Sequence, residues 1–151
     1  ASATASFECR LSQIRDLGKA LPTEAIVYGR LPLMITENCL VQNETGCRLD
    51  RQGPCVPEDG PCRCGQPNVL VDRTGAAFPL LPAYGHRTEI QNSKPLYLAD
   101  RPEHRRLGLA YARLRFTTET AEECVSVVQN YLDAAPAAGD FTRGLYERGV
   151  E

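Results

Sequence analysis

The residues best suited to chemistry in this sequence are its cysteines. There are seven, and five of them lie in one stretch that begins at Cys39 and ends at Cys64. An odd number argues against a simple framework of disulfides, and clustered thiols in a reducing compartment more often bind a metal. Three or four converging thiolates could hold an iron–sulfur cluster or a tetrahedral zinc ion. Free or paired thiols without a metal are the third alternative.

Spacing and position limit which cysteines could act together. Cys62 and Cys64 are separated by one residue, which is tighter than the usual two-residue gap between ligands of one metal. Cys124 falls on the apolar stripe of a predicted helix, where a small buried side chain is its expected role. Cys9 lies off the apolar stripe of the first predicted helix, and a role as a distant ligand stays open for it.

The two histidines of the sequence, His86 and His104, do not form a recognisable protease motif. Neither belongs to a His-Glu-x-x-His helix, and no Gly-x-Ser-x-Gly turn is present. His86 follows a glycine in a predicted turn and is expected to be solvated. His104 precedes two arginines, whose charge favours the neutral imidazole. A cysteine nucleophile paired with either histidine stays open, although no spacing supports it.

Arginine dominates the cationic residues. Of the 17 lysines and arginines, only Lys19 and Lys94 are lysine. Genomic base composition can produce such a bias. The alternative is anion binding, since the guanidinium group binds carboxylates and phosphates with two parallel hydrogen bonds. Arg113 and Arg115 lie on the same face of a predicted strand and are candidates to hold such an anion. The alternative is that they pair with the acidic residues just beyond the strand, Glu119, Glu122 and Glu123.

Charge and hydropathy exclude several classes of protein. The formal net charge is −2, whereas a dedicated nucleic-acid binder is usually strongly basic. No apolar run approaches the roughly 18 residues that a membrane span needs. The first residues lack the charged and apolar regions of a secretory signal. We therefore expect a chain that is not associated with a membrane and has a cytoplasmic location.

Periodicity predicts strands in the middle of the chain and a helix near each end. Thr120 and Glu123 form a capping box for the last helix, whose predicted buried stripe includes Val125, Val128 and Leu132 together with Ala121 and Cys124. The stretch between residues 36 and 68 shows no apolar periodicity, and proline and glycine recur there every few residues. The predicted elements are a helix over 6–21, capped by Ser6, strands over 25–28 and 31–35, a hairpin over 69–81, a strand over 88–98 kinked at Lys94–Pro95, a strand over 111–116 and a helix over 120–134.

This order predicts a mixed α and β fold that forms part of a larger sheet or barrel. A loop of about thirty residues is uncommon in a compact domain unless it is functional or tied down, and the cysteine-rich stretch lies in that loop. The organisation we predict is the end of a barrel-like domain in 1–35, a Cys-rich loop in 36–68, strands plus a terminal helix in 69–134, and a linker with a C-terminal tail in 135–151. Phe141 and Tyr146 are the expected anchors of the tail.

Several runs of the sequence form an ordered set: 26–34, 36–39, 71–79, 90–93, 113–117 with Glu119, 141–146 and 148–150. Taken in this order, they resemble the C-terminal part of the collagenase-like peptidase family U-thirty-two. The match covers nearly the whole chain.

The resemblance implies a piece of a longer protein built on a barrel-like α/β domain, with its upstream domains as partners. The family carries a peptidase label and includes collagen-degrading members. Other members are oxygen-independent hydroxylases that act on transfer RNA, ribosomal RNA or a quinone precursor and hold a four-iron, four-sulfur (4Fe-4S) cluster with cysteines. The implied substrate is therefore RNA or a peptide.

The resemblance also implies a set of site residues. In some family hydroxylases one cluster cysteine follows the Gly-Arg-Leu-Pro-Leu strand, and Cys39 occupies that position here. Cys47, Cys62 and Cys64 are the candidates for the other ligands, with Cys55 an extra residue of an insertion over 48–61. Arg30 and Arg73 lie inside the matching runs and could bind an anion, as could Arg113 and Arg115.

Three hypotheses follow for the function. The full-length protein could be an iron–sulfur enzyme that hydroxylates RNA, or a peptidase, as the family name says. The third hypothesis is a non-catalytic accessory domain stapled by zinc. Thiolates and arginines favour the first chemistry, and this fragment alone is expected to be inactive.

Overall fold

The computed structural model describes residues 1–45, 63 and 66–148. These residues form a mixed α and β fold, as predicted, with two four-stranded sheets. The chain divides into two compact units. The first unit contains Ala1–Leu31 and Lys94–Glu151, and the second contains Pro32–Ser93. Neither sheet is a closed barrel within the described residues.

Twelve elements follow one another in the described residues. In chain order they are β1 (Ala3–Thr4), α1 (Leu11–Ala20), β2 (Thr23–Gly29), β3 (Pro32–Thr36), α2 (Leu40–Thr45), β4 (Asn68–Val71), β5 (Ala77–Ala83), β6 (Arg87–Gln91), β7 (Leu96–Tyr97), α3 (Pro102–Arg105), β8 (Tyr111–Leu114) and α4 (Ala121–Asp133). No helix in the described part of the chain is long and apolar enough to cross a membrane.

Strand β2 is the centre of the first unit. Strands β1 and β8 pair with it in parallel, and β7 pairs antiparallel with its last two residues. From Ala25 to Tyr28 its sequence is continuously apolar, which is typical of a strand covered on both faces. Val27 of β2, Ile14 of α1 and Leu96 of β7 are at most 1% exposed and belong to the same core.

Two tyrosine hydroxyls bond to the backbone of β2 where its register with β8 shifts. The shift falls between Ile26 and Tyr28, and such an irregularity leaves backbone groups that need other partners. The hydroxyl of Tyr146 donates to the Ile26 carbonyl, and the hydroxyl of Tyr131 donates to the Val27 carbonyl. Burial raises the pKa of both phenols, which therefore stay protonated donors.

Helix α4 has the predicted ends but buries a different face. Thr120 and Glu123 form the predicted capping box, and the helix ends at Ala134 in the left-handed conformation. The predicted buried stripe is wrong, because Val125 and Leu132 are about 70% exposed while Val127 is buried. The observed rotation turns Tyr131 inward, where its hydroxyl donates to the Val27 carbonyl of β2 and accepts the Leu98 N–H at 2.8 Å.

Helix α1 begins later than predicted. The predicted cap, Ser6, instead accepts the Glu8 N–H in a preceding turn at 3.2 Å. The helix begins after Arg10, whose N–H donates to the Gln13 side chain at 2.8 Å. The predicted apolar face is confirmed at Ile14, which is fully buried.

The second unit is an antiparallel sheet in the order β3-β6-β5-β4. The predicted hairpin is confirmed as β4 and β5, and the Asp72 carboxylate accepts the N–H groups of Thr74 and Ala76 in the turn between them. The strand predicted over 88–98 is two strands, β6 in the second unit and β7 in the first, because the chain leaves one sheet near the Lys94–Pro95 kink. The segment without periodicity also contains α2.

The C-terminal tail is fixed to the first unit by an ion pair in addition to its aromatic residues. Arg143 donates to both carboxylate oxygens of Asp100 at 2.6 and 2.8 Å and to the Tyr97 carbonyl at 2.7 Å. Its guanidinium lies 4.4 Å from the centre of the Phe141 ring. The hydrogen bonds from Arg143 hold the pKa of Asp100 below its usual value. Tyr146 is 2% exposed, which confirms it as an anchor.

We expect Arg143→Ala to destabilise the protein at neutral pH, since a bidentate bond to a carboxylate is lost. The expected loss is about 1–2 kcal/mol, or a few degrees in the unfolding midpoint. A carboxyl group whose pKa is lower in the folded than in the unfolded state stabilises the fold when the pH is above its unfolded-state pKa. This stabilisation is lost as the pH falls through the folded-state pKa. The difference between wild type and variant should therefore shrink below about pH 4.

Thermal unfolding followed by circular dichroism between pH 3 and pH 7 measures this. Arg148→Ala is the matched control, since Arg148 is an exposed arginine of the same tail. Equal effects of the two substitutions, or a difference that does not depend on pH, would contradict the assigned role of the Asp100 pair.

Candidate functional site

The carboxyl ends of β2 and β8 lie side by side because the two strands run parallel. Tyr28 is in register with Leu114, and the Arg115 N–H donates to the Tyr28 carbonyl at 2.9 Å. The residues that follow each strand therefore meet at one edge of the sheet. In parallel α/β sheets this edge is where ligands bind. Arg30 follows β2, and Arg115 follows β8.

Gly29 allows the two chains to come this close. A Cβ atom at this position would lie 2.0 Å from the Arg115 carbonyl oxygen, and the residue has a φ of 120°. Both the space and the conformation therefore require glycine. The guanidinium of Arg115 also donates to the carbonyl of Arg30, the residue after Gly29, at 2.8 Å.

Glu119 organises the loop that follows β8. Its carboxylate accepts the N–H groups of Thr117 and Thr118 at 2.7 and 3.0 Å. Its other oxygen accepts the hydroxyl of Tyr28 at 3.2 Å. Burial, together with the negative charge of Glu119, raises the pKa of Tyr28, so the phenol remains a hydrogen-bond donor at neutral pH.

The loop also contains one unsatisfied polar atom. The Thr117 hydroxyl oxygen is buried and has no hydrogen-bond partner among the described residues. The Nε of Arg30 lies 3.4 Å from the hydroxyl oxygen of Thr118, the next residue in the chain. A buried polar atom without a partner is costly unless something else supplies one. This edge therefore combines two arginines, a protonated phenol and an unpaired hydroxyl, which suits an anionic or hydroxyl-rich ligand.

Two of the four predicted anion-binding arginines meet at this edge. Arg30 and Arg115 are brought together, whereas Arg73 is exposed in the β4–β5 turn of the other unit. Arg113 pairs with Glu24 at 2.6 Å. The alternative prediction that Arg113 pairs with the acidic residues after the strand is therefore wrong, because its side chain reaches back across the sheet to β2.

Sequence reasoning missed Tyr28 and Thr117 as members of this site. Both lie inside the runs that carry the family resemblance, which is the signal that could have identified them. Their roles depend on burial: Tyr28 is 7% exposed, and only the fold places its hydroxyl beside Glu119.

Cys39 is the one predicted metal ligand within the described residues. It is a free thiol, 5% exposed, that follows β3 and precedes α2. It packs in an apolar cluster with Val41, Leu80 and Ile90. Cys47, Cys62 and Cys64, as well as Cys55, lie outside the described residues. In the described part of the chain no group of three or more metal-binding side chains is present.

Threonine side chains hold the Cys39 segment against β6. The Thr88 hydroxyl accepts the Leu40 N–H at 3.0 Å and thereby serves the start of α2. The Thr36 hydroxyl donates to the Asn38 carbonyl at 2.6 Å and accepts the Thr88 N–H at 3.2 Å. The two bonds to Thr88 connect residues about fifty positions apart, and one of them supplies an acceptor for an N–H at the start of α2.

The remaining cysteines and histidines lie elsewhere. Cys9 packs against the core of the first unit, and Cys124 is half-buried on α4. His86 is in the turn between β5 and β6 with a φ of 58°. His104 is buried, and the pKa of its ring is lowered chiefly by that burial, with a smaller contribution from Arg105. The expected neutral imidazole is confirmed, although the main cause is not the neighbouring charge.

Comparison with known proteins adds no relative. No protein-family model, curated protein or solved structure matches this chain.

We expect Glu119→Ala to destabilise the first unit, because two loop N–H groups and the Tyr28 hydroxyl lose their acceptor. The expected loss in the free energy of unfolding is about 1–3 kcal/mol. Chemical unfolding followed by circular dichroism measures it. Glu122→Ala is the matched control, since Glu122 is an exposed carboxylate three residues further along the chain. Similar losses in both variants would show that Glu119 does not organise the loop.

Proposed function

We propose that this chain is the C-terminal part of a cytoplasmic iron–sulfur enzyme that hydroxylates RNA, of the kind found in the collagenase-like peptidase family U-thirty-two. The observation that carries the proposal is Cys39, a buried free thiol fixed at the entrance to the cysteine-rich segment. The upstream domains of the same protein would supply the rest of the catalytic site.

The surroundings of Cys39 suit a cluster ligand. Iron–sulfur clusters are held by thiolates, usually four, and their properties depend on hydrogen bonding and solvent exclusion around the sulfur atoms. Val41, Leu80 and Ile90 provide an apolar wall, and the threonine bonds fix the backbone on each side of the thiol. Cys47, Cys62 and Cys64 are the proposed remaining ligands. A bound 4Fe-4S cluster would supply one-electron chemistry.

The edge formed by β2 and β8 is the proposed contact for RNA. Arginine recognises phosphate with its fork of N–H groups, and phosphate contacts position a nucleic acid on a protein. Arg30 and Arg115 lie next to each other there, and the Tyr28 and Thr117 hydroxyls add neutral hydrogen-bonding groups. Since the whole chain has a net charge of −2, this contact depends on a local pair of cations and not on a basic surface.

The same thiol also supports a second candidate function. Zinc takes thiolate ligands in a tetrahedral site and stabilises a fold without taking part in redox chemistry. In that case the unit of residues 32–93 would be a zinc-stapled accessory domain that presents a substrate to domains upstream. Metal analysis separates the two candidates.

The metal content of anaerobically purified protein tests the proposal. We expect about four iron atoms with matching sulfide per chain and a broad absorption band near 400 nm. Cys39→Ser should lose most of the iron, because one of four ligands is missing. Cys124→Ser is the control and should keep it, since Cys124 lies on α4. Zinc without sulfide would support the accessory domain, and neither metal would contradict both functions. Gelatin cleavage that survives Cys39→Ser would instead indicate a peptidase.

Binding to a short single-stranded RNA at several salt concentrations tests the arginine pair. Each lost phosphate contact should reduce the slope of log affinity against log salt by about 0.7 to 1. We therefore expect the Arg30→Gln and Arg115→Gln double variant to reduce the slope by about 1.4 to 2. The Arg73→Gln and Arg148→Gln double variant removes the same charge from exposed positions. Equal reductions in both variants would show that RNA is not bound at this edge.

A further inference from the structure

A cavity of about 180 Å³ opens in the first unit, and none of its lining residues belongs to the edge formed by β2 and β8. Its walls come from α1, α3 and the C-terminal tail. Leu11, Leu98 and Tyr146 form the apolar part of its lining. Sites for drug-sized ligands are usually about 300–1,000 Å³, so this cavity suits a much smaller molecule.

A buried histidine supplies an unused acceptor to this cavity. His104 is 6% exposed, and its Nδ1 contacts the Arg101 carbonyl, which can only accept a hydrogen bond. The proton of the neutral ring is therefore on Nδ1, and Nε2 is an acceptor. Nε2 forms no hydrogen bond within the described residues, and it is not one of their fully buried unpaired atoms. A ligand that donates to it would therefore gain a hydrogen bond.

The charges around the cavity are balanced. Arg101 and Arg143 line it together with Glu103 and Glu147. Arg143 is held by Asp100, whereas the Arg101–Glu147 pair is 3.5 Å long and both of its side chains are about half exposed. Such a pair contributes little and can exchange one partner for a ligand. With Arg143 neutralised by Asp100, Arg101 faces the carboxylates of Glu103 and Glu147, so the lining offers a partner for a charge of each sign and disfavours a polyanion.

We propose that this cavity binds a small zwitterion of the α-amino-acid class. Its carboxylate would take the place of Glu147 on Arg101, and its ammonium group would donate to Nε2 of His104. The neighbouring carboxylates of Glu103 and Glu147 would balance the ammonium charge. A short aliphatic side chain would pack on Leu11 and Leu98. This site is independent of the proposed cluster and of RNA.

Titration of the full chain with L-leucine, followed by backbone amide NMR, tests the proposal. We expect saturable shifts at Leu98, Arg101 and Glu147. Two analogues separate the charges: leucinamide lacks the carboxylate, and 4-methylpentanoate lacks the ammonium group. Each should bind about tenfold more weakly, because it loses one charge-assisted hydrogen bond. Equal affinity for all three compounds, or no saturable shift with L-leucine, would overturn the proposal.

Substitutions in the cavity locate the binding groups. His104→Asn retains a side-chain N–H near the position of Nδ1 and removes the Nε2 acceptor, so L-leucine should bind about three- to tenfold more weakly. Arg101→Gln should weaken binding of L-leucine but leave leucinamide unchanged. Since the Arg101 side chain is exposed, this variant keeps the test valid if His104→Asn does not fold. Arg106→Gln, at an exposed neighbouring arginine, is the control. Unchanged L-leucine affinity in Arg101→Gln would overturn the assignment.

Discussion

The first unit depends on one constraint, which is that the buried backbone of β2 must find a hydrogen-bond partner for every polar group. Strands β1, β7 and β8 pair along most of its length, and at the register shift the Ile26 and Val27 carbonyls accept side-chain hydroxyls. Tyr146 and Tyr131 supply the two hydroxyls. Because one tyrosine belongs to the tail and the other to α4, satisfying β2 also fixes the positions of both.

The same pairing creates the edge where Arg30 and Arg115 meet. Parallel strands end on the same side, and Gly29 permits a backbone approach that no other residue would tolerate. Glu119 then accepts two N–H bonds from the following loop. Burial, together with the charge of Glu119, raises the pKa of Tyr28 and keeps it protonated. Close backbone packing therefore brings two cationic residues to this edge, although the chain as a whole has a net charge of −2.

The cysteines differ in what surrounds them. Cys39 is enclosed by an apolar cluster and flanked by side-chain bonds to β6, so its position is fixed by a sheet that spans distant sequence. Cys124 is on a helix whose buried face is formed by Val127 and Tyr131. The amino-acid composition alone does not distinguish these thiols. The proposal of an iron–sulfur enzyme rests on the distinction between them and on the resemblance of several sequence runs to one family.

The sequence by itself determined the local elements: the β4–β5 hairpin from its turn residues, α4 from its capping box, and β2 from its apolar run. These signals are complete within a few neighbouring residues. Only the tertiary structure decided that α4 turns Tyr131 inward, that α2 forms beside Thr88, and that Arg115 lies against Arg30 while Arg113 pairs with Glu24. Each of these outcomes depends on a hydrogen bond or ion pair between residues far apart in the chain, and periodicity carries no information about such partners.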